Sequence, residues 1–368
     1  MNYLIGSTIL HKKMARTTTV SKDKPTATHS DLETTDPGGV SPTKTYFNWL
    51  TSGAGVLYAL LHTLLAAFAA QFMALSSKAG MPVLQLVFLA QLLQFIFVLV
   101  MTPLFRPRLT TEGRRQTVFL TLSAVTNNVA VTLEYMSFHI VLPGIAFGII
   151  KGSLPLVTAC IGYLVLRETV GAVDCLGIAL SVAGVILVAV EMMTDPDNDT
   201  WSTERLATSI FLPLAATFAG RGPNAVVERS LVGLQGVSVL TINFYGSLLG
   251  TVVLLGLTYA LETPRWTMSA QTMGYVIGLC VCDCGQTFAA ELALRTEKAG
   301  IVAAIQTFTV PLAVLLDYLI HREVPSLLMC GGVVLVVAGT GVVAVYTWRG
   351  RQRDILRKNF LDSLNFGK

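Results

Sequence analysis

The chain has 368 residues, of which 53% are hydrophobic and only 13% charged. A soluble domain carries about 25% charged residues, and the apolar residues here gather in blocks of about 20, the length a helix needs to cross a bilayer. This excludes a secreted disulfide domain and a soluble nucleic-acid binder. The net charge of +4 is too small to imply a nucleic-acid partner, and the positive residues bear on topology instead.

Residues 1–46 are rich in Thr, Ser, Lys, Asp and Pro and lack a hydrophobic period. Such a composition cannot bury enough surface to fold alone, and a disordered cytoplasmic tail is expected. Ten apolar blocks follow, at about 53–75, 82–105, 117–138, 141–166, 170–192, 206–227, 236–260, 271–293, 300–320 and 326–348. They predict an all-α polytopic membrane protein with ten transmembrane helices. The six cysteines, Cys160, Cys175, Cys280, Cys282, Cys284 and Cys330, all fall in or beside these blocks. With no CxxC spacing and no accompanying His, they read as small apolar packing residues rather than ligands, and no metal or cofactor is expected.

With the N-terminus on the cytoplasmic side, twenty Lys and Arg fall on that side and four (Lys78, Arg205, Arg265, Arg322) on the other. Lys151 and Arg221 fall within spans. The bias places both termini in the cytoplasm. The sequon Asn198-Asp199-Thr200 lies in the polar loop 193–205, which this topology places outside or in a lumen, so Asn198 is a candidate glycosylation site.

The two halves of the chain repeat. Pro155 precedes Glu168 of Arg167-Glu168 by 13 residues, and Pro311 precedes Glu323 of Arg322-Glu323 by 12. Gly177 and Gly184 follow the first Glu at the same offsets at which Gly332 and Gly339 follow the second. The unit is five helices, 47–192 and 206–348, with a basic cytoplasmic tail at 349–368. Five is odd, so the second copy enters the membrane inverted, an architecture of secondary transporters that bind substrate near the midplane. The four glycines read as helix-packing positions.

This pattern resembles the drug/metabolite transporter superfamily, with two EamA-type five-helix domains over roughly residues 50–347. The stretch Glu297-Lys298-Ala299-Gly300-Ile301-Val302-Ala303 is similar to the G subgroup of solute carrier family 35. The resemblance implies a ten-helix carrier of small metabolites with a central cavity. The ninth helix reads Ala304-Ile305-Gln306-Thr307-Phe308, without the lysine that the nucleotide-sugar members carry there.

Ionisable residues inside spans are costly and point to function. Lys151 lies four residues before Pro155, and Arg221 lies in Gly220-Arg221-Gly222-Pro223. Two cations from opposite halves, each beside helix-weakening residues, suit an anionic substrate such as a carboxylate or phosphate. The alternative is structural pairing, Lys151 with Glu134 and Arg221 with Glu228 or Asp283. Glu134 and Asp283 are candidates for proton relay, and Glu291 joins them in a span. His62 reads either as a hydrogen-bonded packing residue or as a proton carrier. Asn127, Asn128, Gln306 and Thr307 are candidate polar lining or helix-to-helix hydrogen bonds. Asp174 and Asp317 lie near enough to helix ends to reach interfacial water.

The expected function is secondary transport of a small anionic metabolite by alternating access. The rival is a non-transporting membrane regulator or scaffold, whose tails dock proteins or anionic lipids. No Walker A, HExxH or GxSxG motif is present, which argues against an enzyme or an ATP-driven pump. The expected partners are the bilayer and a small-molecule substrate, with homodimerisation left open.

Overall fold

The computed structural model describes residues 42–107, 113–161, 171–194, 203–296 and 305–342, with isolated positions between and after these segments. Residues 1–41 of the proposed 1–46 tail, the Arg167-Glu168 pair, Asn198, the tail 349–368 and all of the Glu297–Ala303 stretch except Val302 lie outside the described residues. The chain divides after Tyr46, and the fold is that of residues 47–368. Among the described residues there are helices and no strands.

In chain order the helices are α1 (Pro42–Lys78), α2 (Val83–Phe105), α3 (Arg114–Ile140), α4 (Pro143–Ile161) and α5 (Ala172–Thr194). Helix α6 runs Thr203–Ala215, loosens into a π-turn at Ala216–Arg221 and resumes at Gly222–Arg229. Then come α7 (Val239–Leu261), α8 (Ala270–Thr296), α9 (Ile305–His321, closing in a π-turn at Asp317–His321) and α10 (Leu327–Val342). Each of the ten apolar blocks overlaps one of these helices.

Among the described residues, five helices are long and apolar enough to cross a membrane: Gly55–Lys78, α2, α4, α7 and Ala270–Ala293. Three apolar helices are shorter, Cys175–Glu191, α9 and α10. Helices α3 and α6 belong to neither group. Both are diluted by polar residues, Asn127, Asn128 and Glu134 in α3 and Arg221, Asn224 and Glu228 in α6. Of the charged candidates, Glu134 and Arg221 lie on these two diluted helices, whereas Lys151 and Asp283 lie on the more apolar α4 and α8.

The packing is organised by exchange of helix n for helix n+5. Helix α2 lies along α7, and α4 along α9, and each pair maps onto itself. The α3–α7 contact maps onto α8–α2. The α3–α6 contact maps onto α1–α8, where a Cβ on Gly278 would sit 2.9 Å from the Phe72 ring. The α5–α10 pair obeys the same rule. A Cβ built on Gly184 would lie 2.6 Å from the Gly332 carbonyl oxygen, and one on Gly339 would lie 2.5 Å from that of Gly177. The exchange carries the first contact into the second. No side chain larger than hydrogen fits at Gly184, Gly332 or Gly339, and Gly177 supplies the carbonyl that Gly339 packs against, so the helix-packing reading of these glycines is the observed one.

A continuous buried core fills the space between the pairs. It includes Met73 of α1, Leu86 of α2, Phe138 of α3, Phe147 of α4, Leu279 of α8 and Val310 of α9. Phe138 and Phe147 meet with ring centroids 4.9 Å apart, joining α3 to α4. The cysteines divide: Cys280 and Cys284 are buried, whereas Cys160, Cys175 and Cys330 are exposed on helix surfaces rather than packed.

Candidate functional site

The candidate charges meet where α6 is driven between α3 and α4. Pro213 removes one helical N–H, and the chain recovers through the π-turn, in which the Gly222 N–H reaches back five residues to the Thr217 carbonyl. The flanking glycines then permit close approach. A Cβ on Gly220 would lie 2.4 Å from the Ala130 Cα of α3, and one on Gly222 would lie 2.3 Å from a Val157 methyl of α4. Thr217 pins the other side, within 3.2 Å of the Ser153 hydroxyl on α4.

Arg221, the last residue of the π-turn, is thereby laid against Glu134. Its Nε lies 2.7 Å, and its Nη2 2.6 Å, from Glu134 Oε2. The Glu134 side chain is only 7% exposed, while Arg221 keeps 29%. Neither partner that the sequence suggested for Arg221 is the observed one. Glu228 instead accepts from Asn224 Nδ2 at 2.8 Å, one turn away on its own helix. Asp283 is buried and accepts from the Tyr135 hydroxyl and, at 2.8 Å, from Gln286 Nε2. Tyr135 is a neighbour that sequence reasoning missed. Its place beside Glu134 was the available signal, since adjacent helix positions point to different neighbours.

Lys151 lies on α4, half-buried, with its Nζ 6.0 Å from the Phe147 ring centroid. Among the described residues it has no carboxylate within ion-pair distance, so it does not pair with Glu134. It lies within electrostatic reach of both Glu134 and Arg221. A lysine ammonium without a carboxylate beside a neutralised Arg–Glu pair leaves local positive charge that an anion can complement.

The remaining candidates separate into two groups. His62 of α1 belongs to the cluster: its Nδ1 donates to the Gln286 carbonyl at 2.9 Å, which leaves Nε2 as a buried acceptor with no partner. Asn127 is half-buried. Asn128 joins helices, with Nδ2 donating to Ala124 at 2.7 Å and to Gly246 of α7 at 2.9 Å. Gln306 is half-buried and Thr307 buried on α9. Glu291 sits apart, accepting from Asn243 of α7, which also accepts from Gln94 of α2 at 3.0 Å. Asp317 departs from expectation: it does not reach interfacial water but is 2% exposed, enclosed by α1 and α4.

The assembled cluster draws on both halves. Glu134, Tyr135 and Lys151 come from the first, Arg221, Asp283 and Gln286 from the second, with His62 at the α1–α8 seam. This is a polar, charge-bearing seam between two repeats in an apolar helical body, the location at which repeat-built carriers bind their substrates.

Comparison with known proteins agrees with that architecture. The human solute carrier family 35 member G1 is 28% identical over 240 residues, covering 63% of this chain and 64% of the relative. An uncharacterized transporter of Methanothermobacter thermautotrophicus is 28% identical over 197 residues, covering 52% of this chain and 53% of the relative. The mouse solute carrier family 35 member G1 is 27% identical over 246 residues, covering 63% of each chain. The chain thus spans less than two thirds of the length of these relatives. A solved crystal structure superposes with a TM-score of 0.56 at 12% identity, covering 78% of this chain and 98% of that one, a likeness of fold alone. The EamA-like transporter family matches twice, at residues 53–190 and 210–345, one match for each five-helix half. These two matches account for most of a chain built of apolar helices, and they make it a multi-pass integral membrane protein that belongs to the EamA-like transporter family.

Proposed function

We propose that the protein is a secondary transporter that carries a small anionic metabolite across the bilayer by alternating access between its two halves. In this reading all ten helices span the membrane, the termini are cytoplasmic, and the chain performs no catalysis. Lys151 and Arg221 face a central cavity, with Asn127, Asn128, Gln306 and Thr307 as polar lining. Glu134, Asp283 and His62 are the groups available to exchange protons as the substrate arrives.

The observation that carries the reading is Lys151: a partly accessible ammonium without a carboxylate partner among the described residues, at the seam of the repeats, beside an Arg–Glu pair. A charge placed in a membrane interior is costly, about 2.5–3.5 kcal/mol on insertion scales, and structural need commonly accounts for it through an ion pair. Here that account is missing for Lys151 and present for Arg221. The anion is therefore expected to bind Lys151 directly and Arg221 in competition with Glu134. The contribution of α1, α3, α4, α6 and α8 to one cluster supports the alternating-access part of this reading, since rocking of one half against the other would alter such a site.

The test is reconstitution of the full chain into liposomes with a panel of labelled carboxylates and phosphates. Uptake of an anion that saturates, and whose apparent affinity falls in the Lys151→Met variant, supports the reading. Uptake confined to neutral or cationic solutes overturns it.

A further inference from the structure

A second polar chain lies away from the Lys151 cluster, where the ends of α1, α4 and α9 converge. Asp317, in the closing π-turn of α9, is 2% exposed and uses both carboxylate oxygens as acceptors. Gln71 Nε2 of α1 donates to Oδ1 at 2.6 Å, and the Gly144 N–H in the first turn of α4 donates to Oδ2 at 2.7 Å. Gln71 Oε1 lies 3.1 Å from His321 Nε2, and His321 Nδ1 lies 3.0 Å from Lys78 Nζ, at the end of α1. Gln71 is 1% exposed, and its Nε2 also donates to the Ala313 carbonyl of α9 at 3.4 Å.

The donor directions along this chain are forced. An ammonium only donates, so His321 Nδ1 accepts from Lys78 and its proton sits on Nε2. Nε2–H then donates to Gln71 Oε1, which leaves Gln71 Nε2 to donate to Asp317. The chain is complete only when the imidazole is neutral and the carboxylate ionised. A proton on His321 Nδ1 sets an imidazolium against the Lys78 ammonium at 3.0 Å. A proton on Asp317 turns one of its oxygens into a hydroxyl, a weaker acceptor, and so loosens the bond from either the Gln71 amide or the Gly144 N–H, each of which ties α9 to another helix. Around the chain stand Lys78 on α1, His139 on α3 (bonded to Ser77 of α1), Glu323 beyond α9, and Arg265 against Gly80.

The repeat shows that this arrangement is one-sided. Aligning Tyr163-Leu164-Val165-Leu166-Arg167-Glu168 with Tyr318-Leu319-Ile320-His321-Arg322-Glu323 sets Gly162 opposite Asp317 and Leu166 opposite His321. Neither residue titrates, so the first half cannot build the same chain at the opposite end of the molecule. The glycine at 144 is part of the fit, since a Cβ there would lie 2.6 Å from Asp317 Oδ2.

We propose that Lys78, His321, Gln71 and Asp317 form a proton-binding site that holds the ends of α1, α4 and α9 together and releases them when it takes up a proton from the solution on that face. The ligand is the proton, and the acceptors are Asp317 and His321. The site controls opening at one end only, because its counterpart in the repeat is apolar. It stands independently of which solute the Lys151 cluster binds.

The experiment is hydrogen exchange of the purified full-length protein in lipid nanodiscs at about pH 7.5 and about pH 5, with labelling times scaled to the intrinsic exchange rate. The readout is protection of the peptides that contain Gly144 and Tyr318–His321. Protection at these amides is expected to fall about tenfold or more at the lower pH, a local opening rather than global unfolding. Equal scaled protection at both pH values overturns the proposal. The double variant Asp317→Asn, His321→Gln is expected to lose the pH response, and a retained response places the proton elsewhere and overturns it too. Lys78→Met, at an exposed side chain, serves should the double variant fail to fold. Loss of that ammonium eases protonation of both acceptors, so the midpoint of the response is expected to rise by about half a pH unit or more. An unchanged midpoint overturns the assignment. No substrate is needed, so failure here and failure of the anion reading are separate results.

Discussion

Arg221 grips Glu134 through one oxygen: Nε and Nη2 both reach Oε2, at 2.7 and 2.6 Å. The pair joins α6 to α3 across the seam of the repeats, with the Glu134 side chain 7% exposed. Two charges so placed compensate each other, and losing one leaves the other stranded in a medium of low dielectric constant. The same pair makes Arg221 and Lys151 unequal as anion ligands, since an incoming anion must compete with Glu134 for the guanidinium and meets no such competitor at the ammonium.

Arg221→Met is expected to destabilise the protein by about 3–5 kcal/mol, the usual cost of removing one partner of a buried ion pair. The double variant Arg221→Met, Glu134→Gln removes the stranded charge and is expected to recover most of that loss. Thermal unfolding in detergent measures both. An Arg221→Met protein as stable as the parent, with uptake abolished, would instead assign the guanidinium to the substrate alone.

Lys151→Met is expected to behave in the opposite way. The ammonium has no carboxylate partner among the described residues, so replacing it with an apolar chain of similar length costs the fold little. The variant is expected to accumulate in the membrane at the level of the parent, while apparent affinity for the transported anion falls about tenfold or more, one lost charge-assisted contact. Lys151→Arg keeps the charge and is expected to retain part of the affinity. Concentration-dependent uptake in liposomes distinguishes these outcomes, and unchanged affinity in Lys151→Met removes the residue from the site.

The large-scale organisation is legible in the sequence because it rests on periodic signals. Matching offsets of Gly177, Gly184, Gly332 and Gly339 from the two Arg-Glu pairs predict a five-helix repeat, and those same glycines form the two exchanged contacts of α5 and α10. The partners of individual charges are not legible in the same way. Glu228, seven positions from Arg221, suits a pairing along an ideal helix, but Asn224 takes it at one turn's distance and the π-turn turns Arg221 toward α3. Asp317 was expected to reach interfacial water, and its burial follows from the way α1 and α4 close over the end of α9. Both outcomes depend on irregular helix geometry that a hydropathy pattern does not encode.

The topology proposed from the lysine and arginine bias can be tested independently of the site. Both termini are expected on the cytoplasmic side and residues 193–205 on the other. Epitope tags at either end should react only after permeabilisation, and a tag in the 193–205 loop should react without it in a plasma-membrane preparation. The reverse pattern inverts the molecule and with it the face on which Asp317 and His321 meet solution.

The last prediction uses the repeat as its own control. A Cβ at Gly184 meets the Gly332 carbonyl oxygen at 2.6 Å, and one at Gly339 meets that of Gly177 at 2.5 Å. Both obstacles are backbone atoms, which cannot rotate away as a flexible side chain can. Gly184→Val and Gly339→Val should therefore separate α5 from α10 and destabilise by similar amounts, of order 1–3 kcal/mol or more for overpacking. Gly331 offers the contrast on the neighbouring face of α10, where the nearest atom to an added Cβ is a Leu187 methyl at 4.0 Å. Gly331→Val is accordingly expected to leave thermal unfolding within about 0.5 kcal/mol of the parent, as a substitution outside a tight contact does. If the Gly184 and Gly339 variants differ widely, the two contacts are not related by exchange of the halves. If Gly331→Val is as damaging as either, the effect belongs to helix propensity rather than to close approach.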